Sequence, residues 1–423
     1  MKDFLPYNIV HIDLSKQRLF TPPAINNMGK YIVLWWKEIA LGDFYIEPNE
    51  RLSEREYRNK MATTILPVIN LYARKANIDI DWNEFLLINK IQDWAIKMEP
   101  IFSFECKKEK LELVPVSVII CTRNRPSYVY KCLNELRKST SLPQEIIVVD
   151  NAPSDDKTRE VVKQFLEVVY VAEPRIGLDI ARNTGISKAG CSIVAFTDDD
   201  VLVNPLWVYR VWETFQTPSV AAMTGLVIAT ALDTEAQFIF EKYWSFNRGY
   251  LDKIYDEAYF SASLSKGPPV WEIGAGANMA FRKSIFEEVG YFHELLDVGA
   301  AGCNGDSEMW YRILAKGYNI HYNPRAIAFH EHRAEIQDLK KQLFNYMRGY
   351  TVALLWQQKQ QPDSGYKSLV FWKLPRHYAI LLIKGLPRYR NRYRTIWVEI
   401  KGIVSGLVYF YKKKNRSLFS VRK

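Results

Sequence analysis

The stretch CSIVAFTDDD, residues 191–200, runs from apolar, β-branched residues straight into three consecutive carboxylates. A short apolar run of this kind reads as a buried strand. Upstream, PVSVIICTRN (115–124) and EIIVVDN (145–151) have the same texture and also end on polar residues, and VVYVAE (168–173) is a fourth run. Helical patterns separate them: SYVYKCLNELRKST (127–140), DDKTREVVKQFLE (155–167) with acids in its first turn, and GLDIARNTGISKAG (177–190). Strands alternating with helices of this length predict right-handed βαβ units and a parallel sheet. Ligands of such sheets bind beyond the C-terminal strand ends. Thr122, Asp150 and the 198–200 carboxylates stand there.

Working outward, 423 residues are enough for two or three domains, and 48% hydrophobic with 25% charged residues is a globular composition. Residues 1–112 combine the apolar run YIVLWW (31–36) with a helix over 54–76, then a linker near 107–115. A long helical pattern starts at Ile336 and leads into a basic, aromatic tail. From Tyr366 onward there are 15 Lys and Arg against the single acid Glu399, while the whole chain carries +10. The residues before the tail are therefore net acidic, which argues against a nucleic-acid-binding body. Aromatics reach 14%, a share that suits stacking surfaces, a membrane boundary or simply an aromatic core. The five cysteines, Cys106, Cys121, Cys132, Cys191 and Cys303, show no paired spacing and read as reduced thiols. The first residues lack a signal-peptide pattern, and no apolar run is long enough to span a bilayer. The expected compartment is the cytoplasm.

Several residues have chemistry worth weighing against a structural role. Adjacent carboxylates at a strand end repel unless a cation compensates them, and Mg²⁺ or Mn²⁺ takes such groups together with phosphate oxygens; a solvated acidic turn is the alternative. Asp150 could accept hydrogen bonds from a base or ribose, or open a turn. His330, in IAFHEHR, ends another apolar run and is either structural or a metal ligand. Asp306, in NGDSEMWYRIL, is either a helix cap or a general base. GAGAN (274–278) is not a dinucleotide fingerprint, since Met279 stands where the third glycine belongs. A phosphate-binding GxxxxGK[ST] loop is absent.

Seven segments in order, VSVIICTRNRP, IIVVDNAPSDD, PRIGLDIARNTGISKA, IVAFTDDDV, GAGANMAFRKS, GDSEMWYRIL and AFHEHR, resemble the inverting family 2 glycosyltransferases. The resemblance spans roughly Val116 to Glu335. It implies an α/β fold of the GT-A, Rossmann-like kind, with a mostly parallel sheet flanked by helices (113–335); the texture of the sequence outside it marks an N-terminal accessory region (1–112) and a helical C-terminal region (336–423). The resemblance implies a nucleoside-diphosphate-sugar donor, a saccharide or lipid-linked acceptor, and Mg²⁺ or Mn²⁺. On this resemblance Thr122 and Arg123 border the base, Asp150 binds it, and Asp198 contacts the ribose. Arg182 and Asn183 line the donor cleft. Asp200 holds the metal, with Asp199 as the alternative ligand and His330 completing the shell. Gly276 and Asn278 face the transferred sugar, Asp306 is the catalytic base, and Glu308 in the same segment is a substrate-binding candidate. Two departures stand out: position 123 is commonly aromatic in the family, and Gly305 replaces an acid.

The tail interleaves Lys and Arg with Tyr and Trp, a pattern that suits an in-plane helix on an anionic inner membrane surface, or a packed helical subdomain. The competing readings are a catalytically weak partner subunit, for which Gly305 speaks, and a sugar nucleotidyltransferase, which leaves GDSEMWYRIL and AFHEHR unexplained. A role in polysaccharide or glycolipid synthesis fits the first reading.

Overall fold

The computed structural model of the chain describes residues 4–16, 27–80, 91–106, 111–297, 300–385 and 392–413. The apolar run at 31–36 lies in a three-stranded sheet of β1 (Tyr7–Asp13), β2 (Gly29–Trp36) and β3 (Ile39–Ile46), with β1 parallel and β3 antiparallel to β2. Its hydrophobicity is continuous because both faces of β2 are covered, and side chains alternate between them. Ile32, Leu34 and Trp36 pack against α1 (Glu54–Lys75) and α2 (Ile91–Cys106). Tyr31, Val33 and Trp35 pack against Leu226, Ile228, Phe238 and Ile327 of the main body. A capping box, Ser53 with Glu56, starts α1. The N-terminal region is thus bolted to the back of the large sheet.

The large sheet begins with the predicted alternation: β4 (Leu113–Thr122), α3 (Pro126–Leu136), β5 (Leu142–Asn151), α4 (Lys157–Val162), β6 (Val168–Glu173), α5 (Leu178–Lys188) and β7 (Ile193–Asp198). Helix α4 is shorter than its sequence pattern, because the chain turns at Phe165 to bury that ring. After β7 come β8 (Val201–Val203), α6 (Trp207–Thr214), β9 (Val220–Ala229), α7 (Glu235–Trp244), β10 (Lys253–Tyr255) and α8 (Glu257–Ser263). The body closes with β11 (Asn278–Arg282), α9 (Ile285–Val289), α10 (Gly305–Ala315) and β12 (Asn319–His330).

The strand order is β10-β12-β9-β11-β7-β4-β5-β6, with β8 paired to β12. Strands β4 to β7 are mutually parallel, whereas β11 runs antiparallel to both β7 and β9, and β8 and β10 run antiparallel to β12. The chain leaves β4 toward β5 on one side and returns to β7 on the other. The tips of β4 and β7, Thr122 and Asp198, therefore flank a topological switch point, where such sheets open a crevice. Apolar clusters fill both faces of this sheet.

Beyond the sheet stand α11 (Ile336–Gln360), α12 (Leu374–Lys384) and α13 (Tyr393–Lys413). Helix α13 lies tight on α11 because it presents glycine: a Cβ at Gly402 would come within 2.6 Å of Phe344 O, and one at Gly406 within 2.7 Å of Arg348 O. Glu399, the tail's only acid, is fully buried and pairs with Arg392 while accepting from Tyr378 at 2.9 Å. This is a packed helical subdomain. Trp372, Ile383 and Trp397 nevertheless stay 77%, 78% and 61% exposed. Among the described residues no helix is long and apolar enough to cross a membrane.

Candidate active site

The 198–200 carboxylates are each compensated differently. Asp199 accepts from Thr122 Oγ1 at 2.7 Å and pairs with Arg125, which also reaches Asp200 at 3.1 Å. Asp200 lies 3.6 Å from His330 Nε2 and 3.7 Å from Arg333. That meeting is set by strand register, since β8 folds back on β12 with Val201 opposite His330. Burial pushes Asp198 up to about 6 and Asp199 up to about 7. Burial acts on Asp200 as well, but His330, Arg125 and Arg333 outweigh it and hold that carboxyl low. Burial outweighs the pull of Asp200 on His330 and drives its imidazole down to about 3.

Asp306 stands in the first turn of α10, where backbone N–H groups orient it: Gly276 N donates to Oδ2 at 2.8 Å and Ser307 N to Oδ1 at 2.7 Å. A Cβ at Gly276 would meet Arg182 Nη2 at 2.6 Å and Asp306 Oδ2 at 3.3 Å, so a larger residue there would displace the end of the Arg182 side chain. The Arg182 guanidinium is buried, yet Asp179, Asp198 and Asp306 keep it charged against the burial. Asp198, Asp200, Arg182, Gly276, Asp306 and His330 line one cavity of about 750 Å³.

The other expected site residues divide. Asp150 is fully buried at the tip of β5, accepts from Tyr170 at 2.9 Å and is raised by burial, but it does not line this cavity. Arg123 is exposed; Arg125, two residues on, is the arginine that reaches the carboxylates. Asn183 spends its amide on both backbone groups of Phe292, at 2.9 Å each. Asn278 accepts from Trp207 Nε1 and donates to Leu226 O and Ala326 O. With its amide so occupied, it ties strands together. Glu308 is buried against Arg312, which in turn holds the carbonyls of Val289, Gly290 and Tyr291. Sequence reasoning missed Arg125, and also the chain His330 Nδ1 to His332 Nδ1 (2.9 Å) and His332 Nε2 to Glu241 (2.7 Å). The HEH spacing, which puts alternate residues on one side of an extended chain, was the available signal.

Gly305 also has a physical reason. A Cβ at this position would fall 2.0 Å from Asp179 Oδ2 and 2.5 Å from its Cγ. Asp179, from α5, has its carboxyl in the space a side chain at 305 would enter, and Oδ1 accepts from Arg182 at 3.0 Å. An acid is thus present beside Asp306, delivered from another element.

Known proteins resemble this chain. The family profile described as Glycosyl transferase family 2 matches residues 117–290. The chain is 30% identical over 235 residues to Glycosyltransferase AglE of Haloferax volcanii, covering 54% of this chain and 70% of that protein. It is 24% identical over 199 residues to Glycosyltransferase GlyA of Streptococcus pneumoniae serotype 4, covering 45% of this chain and 27% of that one. A solved mannosyltransferase, PcManGT from Pyrobaculum calidifontis in complex with GDP-Man and Mn²⁺, aligns with a TM-score of 0.45 at 18% identity, covering 84% of this chain and 97% of that one.

Replacing Gly305 by Ala is expected to lower stability by about 1–3 kcal/mol through overpacking. In a denaturation double-mutant cycle with Asp179→Ala, the combined loss should fall short of the sum of the single losses. Simple additivity would mean that the two groups do not meet.

Proposed function

Since the chain belongs to glycosyltransferase family 2, we propose that it moves a sugar from a nucleoside-diphosphate donor to an acceptor hydroxyl, with inversion and with a divalent metal on the donor diphosphate. The observation that carries this reading is the single cavity shared by Asp198, Asp200, Asp306 and His330 at the sheet's switch point. In this reading Thr122, Arg123 and Asp150 serve the base end of the donor and Asp198 the ribose. Arg182 stands between the donor and Asp306.

The residues fit a hard divalent ion. Glu241 accepts from His332 Nε2, which leaves His332 Nδ1 free to accept from His330 Nδ1. The remaining lone pair, on His330 Nε2, then faces Asp200 across 3.6 Å, too far for a hydrogen bond. Among the described residues no three His, Cys, Asp or Glu side chains enclose an ion by themselves. Asp200 and His330 would therefore supply the protein's share, with diphosphate oxygens and water supplying the rest. Asp199 is the lesser candidate, because Thr122 and Arg125 already occupy its oxygens. When bound, the metal offsets charge gathering on the departing diphosphate. Asp306, held by two N–H groups, takes the acceptor proton as the hydroxyl attacks from the opposite face.

The unpaired Cys121, Cys132, Cys191 and Cys303 support a cytoplasmic setting, with polysaccharide or glycolipid synthesis as the wider role. Docking of the C-terminal helices on the inner face of an anionic membrane belongs to the same proposal. It is supported by the tail's basic balance and by exposed Trp372, Ile383 and Trp397.

Asp306→Asn should cut transfer by roughly 10²–10⁴-fold and leave donor affinity, measured by calorimetry, nearly intact. A matching loss of donor affinity would reassign the residue to structure. EDTA should abolish turnover and Mn²⁺ restore it. His332→Phe, which removes the acceptor for His330 Nδ1, should weaken Mn²⁺ binding by about 10–100-fold in an electron paramagnetic resonance titration. Full turnover in EDTA, or unchanged Mn²⁺ affinity in the variant, removes the metal from the reading. The whole chain should float with anionic vesicles, and a Trp372→Ser, Ile383→Ser, Trp397→Ser variant should stay behind. A wild-type chain that does not float ends the membrane part.

A further inference from the structure

We infer that the N-terminal sheet takes part in the site: Asp43, on β3, is a positioning residue that clamps segment 245–250 and through it seats the ring of His330. The inference rests on the metal reading above and gives the accessory region a task within it.

Segment 245–250 follows α7 and has no regular structure, so side chains rather than a helix or strand ladder fix its course. It nevertheless lines the cavity, through Phe246 and Arg248. The Phe246 ring stands at 84° to that of His330, 5.3 Å between centroids, and 6.4 Å from that of His332. An edge-on contact of this kind orients a ring only while its partner ring is itself held in place.

The residues on either side of Phe246 do the holding, and each is bonded to a different anchor. Ser245 Oγ donates to Glu241 Oε1 at 2.9 Å, and the other oxygen of that carboxylate pairs with His332 Nε2 at 2.7 Å. Asn247 Nδ2 donates to Asp43 Oδ1 at 3.3 Å, and Tyr250 Oη donates to the same oxygen at 2.7 Å. Asn247 Nδ2 also reaches Tyr250 Oη at 3.2 Å, and Asn247 N donates to Ser245 Oγ at 3.0 Å, which joins the two anchors. Asn247 Oδ1 accepts from Gly249 N at 2.7 Å, where a φ of +98° suits glycine. On the cavity side, Arg248 donates to the carbonyls of Ser245 and Trp271.

Asp43 is 204 residues from Asn247 in the chain, and it stands on a rigid element. Its register partner is Val33 of β2, a strand buried on both faces. Without an acceptor at 43, the Asn247 and Tyr250 donors have to find other partners, and Phe246 moves with them.

The test uses the full chain. Proton–carbon NMR of metal-free protein with isotope-labelled histidine reads the His330 ring protons, identified by their absence in His330→Gln. Phe246→Leu gives the direction of the shift that accompanies loss of the neighbouring ring. Asp43→Leu, checked for folding by circular dichroism, should move the His330 resonances in that direction and weaken Mn²⁺ binding about tenfold in an electron paramagnetic resonance titration. Asn247→Ala breaks the clamp from the other side and should do the same, whether or not Asp43→Leu folds. Asp43→Asn, which keeps an oxygen to accept both donors, should restore both readouts. Ile65→Val, which loosens the N-terminal core away from Asp43, should move neither. Stationary His330 resonances in Asp43→Leu and Asn247→Ala, no rescue by Asp43→Asn, or an equal shift in Ile65→Val overturns the clamp. A wild-type chain that binds no Mn²⁺ sinks the metal reading alone, because the resonances are read without metal.

Discussion

Three carboxylates on consecutive residues cannot be separated by their own chain, so burying them at the end of β7 obliges the rest of the fold to supply counter-charge. It comes from three directions. Arg125 arrives from the turn after β4, Arg182 from α5, and Arg333 from just beyond the end of β12. Each supplier belongs to a different element, which couples the strand order of the sheet to the charge balance of the cleft. The three-residue strand β8 matters most for its length, because its pairing with the end of β12 delivers His330 to Asp200.

Around that cluster, polar residues divide into those that face the cavity and those that hold its walls. Asn278, Asn183 and Glu308 have the types expected of a sugar-binding site, yet each is engaged by backbone, tryptophan or arginine partners. Their value is positional: Asn278 fixes β9 and β12 beside the GAGAN turn, and Glu308 holds the Arg312 that ties α10 to the segment before it. Gly305 and Asp179 show the converse. An absent side chain makes room for a carboxyl that arrives from α5. The acid missing at 305 therefore lends no support to an inactive partner subunit.

The C-terminal helices extend the same logic. A strongly basic segment packs against the body because its one acid is buried with Arg392, and because two glycines let α13 lie close on α11. That packing turns one face of the segment into the outer wall of the cavity and leaves a second, apolar and basic, toward solvent.

The alternation of β4 to β7 with their helices was legible in the sequence, because buried parallel strands are continuous apolar runs and helices carry a 3.6-residue period. The acidic tip of β7, Asp306 and His330 were legible too, since each ends an apolar run or begins a helix. The antiparallel insertion of β11, the folding back of β8 and the shorter α4 were not, because pairing partners far apart in the chain leave no local period. The same limit hid Arg125 behind Arg123, and the relay from His330 through His332 to Glu241, which lies 91 residues from its histidine. Residue type and spacing determined which groups could do the chemistry. Only tertiary packing decided which were free to do it, because a buried amide or carboxylate is available only when no nearer partner has satisfied it.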